Sequence, residues 1–255
     1  MFNIDEINVW APMLLSKLYK VIPKNHIVDM ERQHFEHMSD AANFLLDSRE
    51  HEINVFVKDW LSAQQIITYH GSRLTPEELR DVLDEGLLPL DPARQILRTL
   101  SILKENKCSA HIDIKQQQKI DDWAEGRIGQ VHMAISRTAL LERYPHYAKY
   151  GSEFGKVIAQ YLEDKNGLNA LANHGRPLII SLKIPGDITI KAANPYTADN
   201  PLNLVREVIE LFALWLHNHH LNSRSFPNTD WRGIDCCLIF NEKIPADWIA
   251  GVEYL

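Results

Sequence analysis

The residues best suited to chemistry stand in one short segment, Tyr69-His70-Gly71-Ser72-Arg73. The segment closes a β-branched and aromatic run over 66–70, which predicts a strand. An imidazole at a strand end either contacts a ligand or is an ordinary core histidine. The guanidinium of Arg73 suits bidentate contact with a phosphate group, and a surface ion pair is its alternative role. The segment therefore predicts one part of a binding site.

A second group of candidates begins with His132, in a predicted strand over 130–136. Three tyrosines come next at helical spacing, Tyr144, Tyr147 and Tyr150. Their aromatic faces suit stacking on a flat cationic ring, while the same spacing also suits core packing. Tyr147 and Tyr150 are three residues apart and share a helix face. Glu153 follows them, either as a site residue or as a solvent-facing helix residue.

Two late carboxylates complete the candidates. Asp235 begins a predicted strand over 236–240, which is followed by a turn at Pro245. Glu253 lies in a predicted terminal strand over 252–255 and comes after the turn.

Taken together, these segments resemble the ADP-ribosyltransferases. The likeness is closest to the histidine-containing branch, which includes diphtheria-type toxins and the poly(ADP-ribose) polymerases. Its first motif corresponds to the segment at His70 and its second to the Gly-led strand over 129–136. This chain has His132 where the family usually has Tyr, and Asp235 where it normally has Glu. The resemblance covers about residues 66–255.

The resemblance implies an α+β fold with a split β-sheet core that binds NAD, the substrate. It places His70 on the adenosine ribose and the Gly71 backbone on the nicotinamide amide, an approach that only glycine allows. The remaining NAD-binding residues that it implies are Ser72, Arg73, His132, Tyr147, Tyr150 and Glu153. The catalytic residues that it implies are His70 and an acid, which would be Asp235, with Glu253 as the alternative. A carboxylate would stabilise the oxocarbenium character of the transition state, and no metal is needed.

The function implied is mono-ADP-ribosyl transfer from NAD to a macromolecule, either a protein or a nucleic acid. Bacterial proteins of this type act as toxins, phage-defence components or effectors, so a cognate antitoxin or inhibitor protein is an expected partner. Two alternatives stay open. One is an NAD glycohydrolase, with water as the acceptor. The other is an inactive module that binds NAD or ADP-ribose, which the departures at His132 and Asp235 favour.

Periodicity predicts the elements that position these residues. Helices are expected through 10–19, 30–47, 55–63, 75–86, 91–125 and 203–221, and strands at 66–70, 130–136, 178–184, 188–191, 236–240 and 252–255. Residues 1–63 are expected to form a helical cap, and 64–255 the ADP-ribosyltransferase-like domain. Strands separated by helices without a regular βαβ rhythm favour α+β over a doubly wound sheet.

Composition narrows the function classes. The 255 residues carry a formal net charge of -7, which does not suit a general nucleic-acid binder. No apolar run is long enough for a membrane span and the start lacks a signal-peptide layout, so a cytoplasmic protein is expected. Three cysteines, two of them adjacent, form no disulfide framework. The histidines at 217, 219 and 220 lack the i, i+4 spacing of helical metal ligands.

Overall fold

The computed structural model describes residues 1–30, 32–162, 166–193, 203–220 and 237–255. Its α-helices are α1 Ile7–Leu18, α2 Lys24–Met30, α3 Met38–Leu46, α4 Glu50–Ser62, α5 Pro76–Glu85, α6 Pro92–Glu105, α7 Ile114–Ala124, α8 Arg137–Arg143, α9 Pro145–Tyr150, α10 Glu153–Tyr161, α11 Gly167–Asn173, α12 Gly186–Ala192 and α13 Asn203–Trp215. Its strands are β1 Gln65–Leu74, β2 Val131–Ala134, β3 Arg176–Pro185, β4 Cys237–Phe240 and β5 Ile249–Tyr254. This mixture confirms the α+β class.

The five strands form one sheet in the order β4-β2-β1-β3-β5. β3 and β5 run antiparallel, with Ile179 opposite Glu253 and Ile180 opposite Val252. The register shifts between Ser181 and Leu182. The resemblance implies a split core, whereas the strands of the described residues make a single sheet.

The chain divides into two compact units. The first comprises Met1–Thr68, Ala134–Ala139 and Ile184–Leu238, of which 31, 194–202 and 221–236 lie outside the described ranges. The second comprises Tyr69–Met133, Leu140–Lys183 and Ile239–Leu255, of which 163–165 lie outside them. The predicted N-terminal region, residues 1–63, lies in the first unit and contains the helices α1 to α4. Its role as a separate cap stays a prediction.

The first unit is built around an aromatic cluster. Phe2, Trp10 and Trp60 are buried, and the Phe2 ring lies 5.3 Å from that of Trp10 and 5.5 Å from that of Trp60. The Phe2 backbone bonds to Gln65 O and to Ile67 N, each at 2.8 Å, so the N-terminus runs parallel to the start of β1. The buried residues of α1 recur at intervals of three and four positions, which gives the helix one apolar face.

Two element predictions in this unit are wrong. The helix expected to begin at Met30 begins at Met38 instead, because Met30 is the last residue of α2 and His37 caps α3: its N–H donates to Asp40 Oδ2 at 3.1 Å. The strand expected at 188–191 is part of α12. Thr189 Oγ1 donates to Pro185 O at 3.1 Å, and Gly186, Thr189 and Ile190 bury one helical face. The β-branched composition was outweighed by tertiary packing.

In the second unit, α5 begins and ends as its sequence predicts. Thr75 Oγ1 accepts from Glu78 N at 3.3 Å and Thr75 N donates to Glu78 Oε2 at 2.8 Å, which forms a capping box. Gly86 ends the helix with φ of 92°, in the left-handed region that favours glycine. Leu87 then pairs with Ile244 in an antiparallel bridge. A buried cluster centred on Leu103, Ile120 and Ile158 joins α6, α7 and α10.

Candidate functional site

Alternate residues of β1 line a cavity of about 240 Å³ that lies wholly in the second unit. His70, Ser72 and Leu74 point to the same face of the strand because side chains alternate across a sheet. His132 of β2 and Ile180 of β3 line the same cavity. Four consecutive residues of β1, numbers 70–73, were expected to bind ligand. Of these four, only His70 and Ser72 line the cavity.

The ring of His70 is oriented by the neighbouring strand. Its Nδ1 lies 3.0 Å from the carbonyl oxygen of His132. A carbonyl only accepts, so Nδ1 carries the hydrogen and Nε2 keeps its lone pair. Burial lowers the pKa of His70, which favours this neutral form, while the bond to His132 opposes the shift. A ligand hydroxyl can therefore donate to Nε2.

His132 is the second imidazole of the cavity. Its Nε2 lies 3.0 Å from Gln130 Oε1, a side chain that also lines the cavity. Burial lowers the pKa of His132, and the nearby charge of Arg127 lowers it further, while Glu153 acts in the opposite direction. A cation and an anion thus lie close enough to act on the same ring.

Gly71 and Tyr147 show how α9 reaches the site. A Cβ on Gly71 would lie 3.1 Å from Tyr147 Cβ and 3.3 Å from a Leu140 methyl, so the missing side chain lets the helix approach β1. Tyr147 lines the cavity, whereas Gly71 is buried outside it. Tyr144 lies outside the lining as well. Tyr150 packs against the buried cluster of α6, α7 and α10, with Lys149 Nζ 5.2 Å from its ring centre.

Glu153 brings a carboxylate to the cavity from the first turn of α10. Ser152 caps this helix, since its Oγ accepts from Gly155 N at 2.9 Å. A half-buried anion at this position is stabilised by the N-terminal end of the helix dipole. Glu153 is the one expected carboxylate that the described residues place in the cavity.

The other expected residues lie elsewhere. Arg73 points away from the cavity, its Nε is buried without a hydrogen-bond partner among the described residues, and burial lowers its pKa. Glu253 is exposed on β5 opposite Ile179, so it shares a sheet face with Ile179 and not with the cavity-lining Ile180. Asp235 lies outside the described residues.

Several cavity residues were not among the expected site residues. Glu78 and Arg98 form a two-point ion pair, with Arg98 Nη2 3.1 Å from Glu78 Oε2. The same Nη2 donates to Arg73 O at 3.2 Å, which ties α5 and α6 to the end of β1. Burial raises the pKa of Glu78, but the hydrogen bond and charge of Arg98 lower it, and the net shift is downward. Twenty residues separate this pair, so no local pattern reveals it.

Trp123 and Arg127 also line the cavity. The guanidinium carbon of Arg127 lies 4.1 Å from the centre of the indole ring. Their i, i+4 spacing at the end of a helix was a readable signal, because residues four apart meet on one helix face.

Comparison with known proteins adds nothing to this geometry: no family model, curated protein or solved structure matches the chain. In the described ranges, no helix has both the length and the apolar character that crossing a membrane requires. The same residues contain no cluster of three or more His, Cys, Asp or Glu arranged to hold a metal ion. His217, from the histidine group, is buried on Phe35.

The arrangement therefore offers a neutral histidine acceptor, an aromatic ring, a guanidinium and a carboxylate around one cavity. Such a set suits a ligand that has hydroxyls, a flat ring and both signs of charge.

Proposed function

We propose that the protein binds NAD in this cavity and transfers its ADP-ribose to a macromolecular acceptor. One observation carries the proposal: His70, Ser72, His132, Tyr147 and Glu153, all expected from the resemblance, line the same cavity. They come from three segments that are separated along the chain: β1, β2, and the adjoining helices α9 and α10. A chance match of short motifs gives no reason for these segments to meet.

In this reaction the bond between the nicotinamide nitrogen and ribose C1′ breaks. Nicotinamide leaves with the bonding electrons, and positive charge develops on the ribose. The acceptor then forms a bond to C1′ and releases a proton. The developing cation requires a carboxylate in a position fixed before the reaction.

Glu153 is the carboxylate that fits this role among the described residues. Tyr147 offers an aromatic face on which the cationic nicotinamide ring can stack. Nε2 of His70 accepts a hydrogen bond from a ribose hydroxyl. Asp235 and Glu253 remain the competing acids, and the fold implied by the resemblance remains part of the proposal.

The acceptor is either a protein side chain or a nucleic-acid base. The net charge of -7 slightly favours a protein, because binding nucleic-acid phosphates needs clustered cations. A role as a toxin, effector or phage-defence component would give the acceptor its biological meaning.

Labelled NAD incubated with the protein and a cell lysate tests the proposal. We expect label on a macromolecule with the wild type and with His51→Ala, an exposed histidine of the first unit, and none with His70→Ala. Mass spectrometry then identifies the modified group. Free nicotinamide without labelled macromolecule would identify a glycohydrolase. Binding of NAD without either product would identify an inactive binding module.

A further inference from the structure

The side chain of Arg127 is held against Trp123 at the wall of the cavity. Its Nη1 donates to Trp123 O at 3.2 Å while the guanidinium stacks on the indole at 4.1 Å. The indole itself stacks on Phe154, with ring centres 5.4 Å apart and planes 22° from parallel. Phe154 is only 2% exposed, so the stack rests on the core. A guanidinium fixed in this way loses little further freedom when it binds.

The charge of Arg127 is not neutralised by a carboxylate contact among the described residues. Arg98, in the same cavity, has Glu78 as its ion-pair partner. Within the described ranges no carboxylate oxygen lies within 4.0 Å of Arg127, although it is half-buried. A partly desolvated cation that faces a cavity is stabilised by an incoming anion.

Arg127 is therefore suited to the phosphate contact that was expected of Arg73. The planar fork of a guanidinium matches the geometry of phosphate oxygens, and its weak hydration lowers the cost of binding them. Arg73 cannot reach a ligand in the cavity, because it points to the other side of β1.

The charges of the cavity also match one class of ligand. Arg127 and Glu153 both act on the pKa of His132, so a positive and a negative group flank the same part of the site. NAD is itself dipolar, with an anionic pyrophosphate and a cationic nicotinamide ring.

Three further carboxylates of the lining oppose an anion: Asp81 and Glu85 on α5, and Asp91, which caps α6. All three are exposed, so water and salt screen their charges more effectively than that of a half-buried group. They disfavour phosphate near α5 and the start of α6, and favour it at the side of the cavity that Trp123 lines.

We propose that Arg127, stacked on Trp123, forms a phosphate subsite that binds the pyrophosphate of a dinucleotide. The assignment of that pyrophosphate to NAD rests on the proposed function. The subsite itself rests on the geometry of Arg127 and predicts binding of phosphate-bearing ligands in general.

Calorimetric titration tests the subsite with NAD, ADP-ribose, inorganic pyrophosphate and adenosine, which has no phosphate. We expect Arg127→Gln to weaken ADP-ribose and pyrophosphate binding about tenfold or more, and to leave adenosine binding unchanged. Arg127→Lys keeps the charge without the fork and should fall between the two. Arg80→Gln removes an exposed cation outside the cavity and should change nothing.

The outcomes separate the two proposals. Equal ADP-ribose affinity in the wild type and in Arg127→Gln would overturn the subsite and leave the proposed function standing. Pyrophosphate binding that depends on Arg127, without binding of NAD or ADP-ribose, would support the subsite and refute the proposed function. Failure of the wild type to bind any phosphate ligand would overturn the subsite as well. Should Arg127→Gln unfold in a melting control, Arg127→Lys and the salt dependence of wild-type binding decide the question, since a phosphate contact must weaken as salt rises.

Discussion

Replacing Glu153 by Gln removes one negative charge and keeps the size and shape of the side chain. A carboxylate about 4 Å from the developing ribosyl cation contributes roughly 4 kcal/mol at an effective dielectric constant of about 20. Because Glu153 is half-buried and the amide dipole keeps part of this interaction, we expect turnover to fall on the order of a hundredfold. The helix-dipole contribution lost is only about 0.3–1 kcal/mol, so the fold should survive.

The assay is the release of nicotinamide under saturating NAD, with NAD affinity measured separately by titration. The matched variants are Glu253→Gln and Asp235→Asn. We expect Glu253→Gln to keep full activity, because its side chain lies on the other sheet face from the cavity-lining Ile180. If Glu153→Gln retains the wild-type rate while Asp235→Asn is inactive, our choice of carboxylate is wrong and the acid belongs to the segment at 235. If Glu253→Gln alone is inactive, the terminal strand supplies it.

Three further results are expected. Burial lowers the pKa of His70 below its usual value of about 6.5. NAD affinity should therefore stay constant from pH 8 to 6.5 and fall only in more acid solution, where protonation of Nε2 removes the acceptor. Loss of affinity above pH 7 in a titration series would contradict this. Gly86→Ala should lower the free energy of unfolding in urea by more than about 3 kcal/mol, since the added Cβ would lie 2.0 Å from Ile244 O at a positive φ. A urea midpoint equal to that of the wild type would show that this contact is wrong. Arg98→Met should cost about 1–3 kcal/mol in the same assay, because it removes the guanidinium that pairs with the partly buried carboxylate of Glu78. A cost as small as that of a surface pair would refute the pairing.

Local signals in the sequence were enough to predict those elements whose ends carry capping residues or a terminating glycine. The capping box at Thr75 and the glycine at 86 predicted α5, and the structure confirms both ends. The β-branched run before His70 predicted β1 correctly. Its side chains are buried in the sheet, which is the environment that such residues favour. Residues 188–191 carried the same β-branched signal and are helical, because Gly186 lets α12 pack against the backbone at Leu61, a contact that no local pattern encodes.

For the candidate site, the sequence determined the kinds of residue and their order, and the fold decided which of them meet. The sequence predicted four adjacent ligand contacts in the His70 segment, but a strand turns alternate side chains to opposite faces. The side chains of His70 and Ser72 therefore reach the cavity while that of Arg73 does not, and Gly71 lies outside the lining. The two-residue period of a strand is known from the sequence alone, so it could have separated the residues that face the cavity from those that do not. The pairing of Glu78 with Arg98 and the convergence of Arg127 with Glu153 on His132 were not available, because they depend on how separated segments pack in three dimensions.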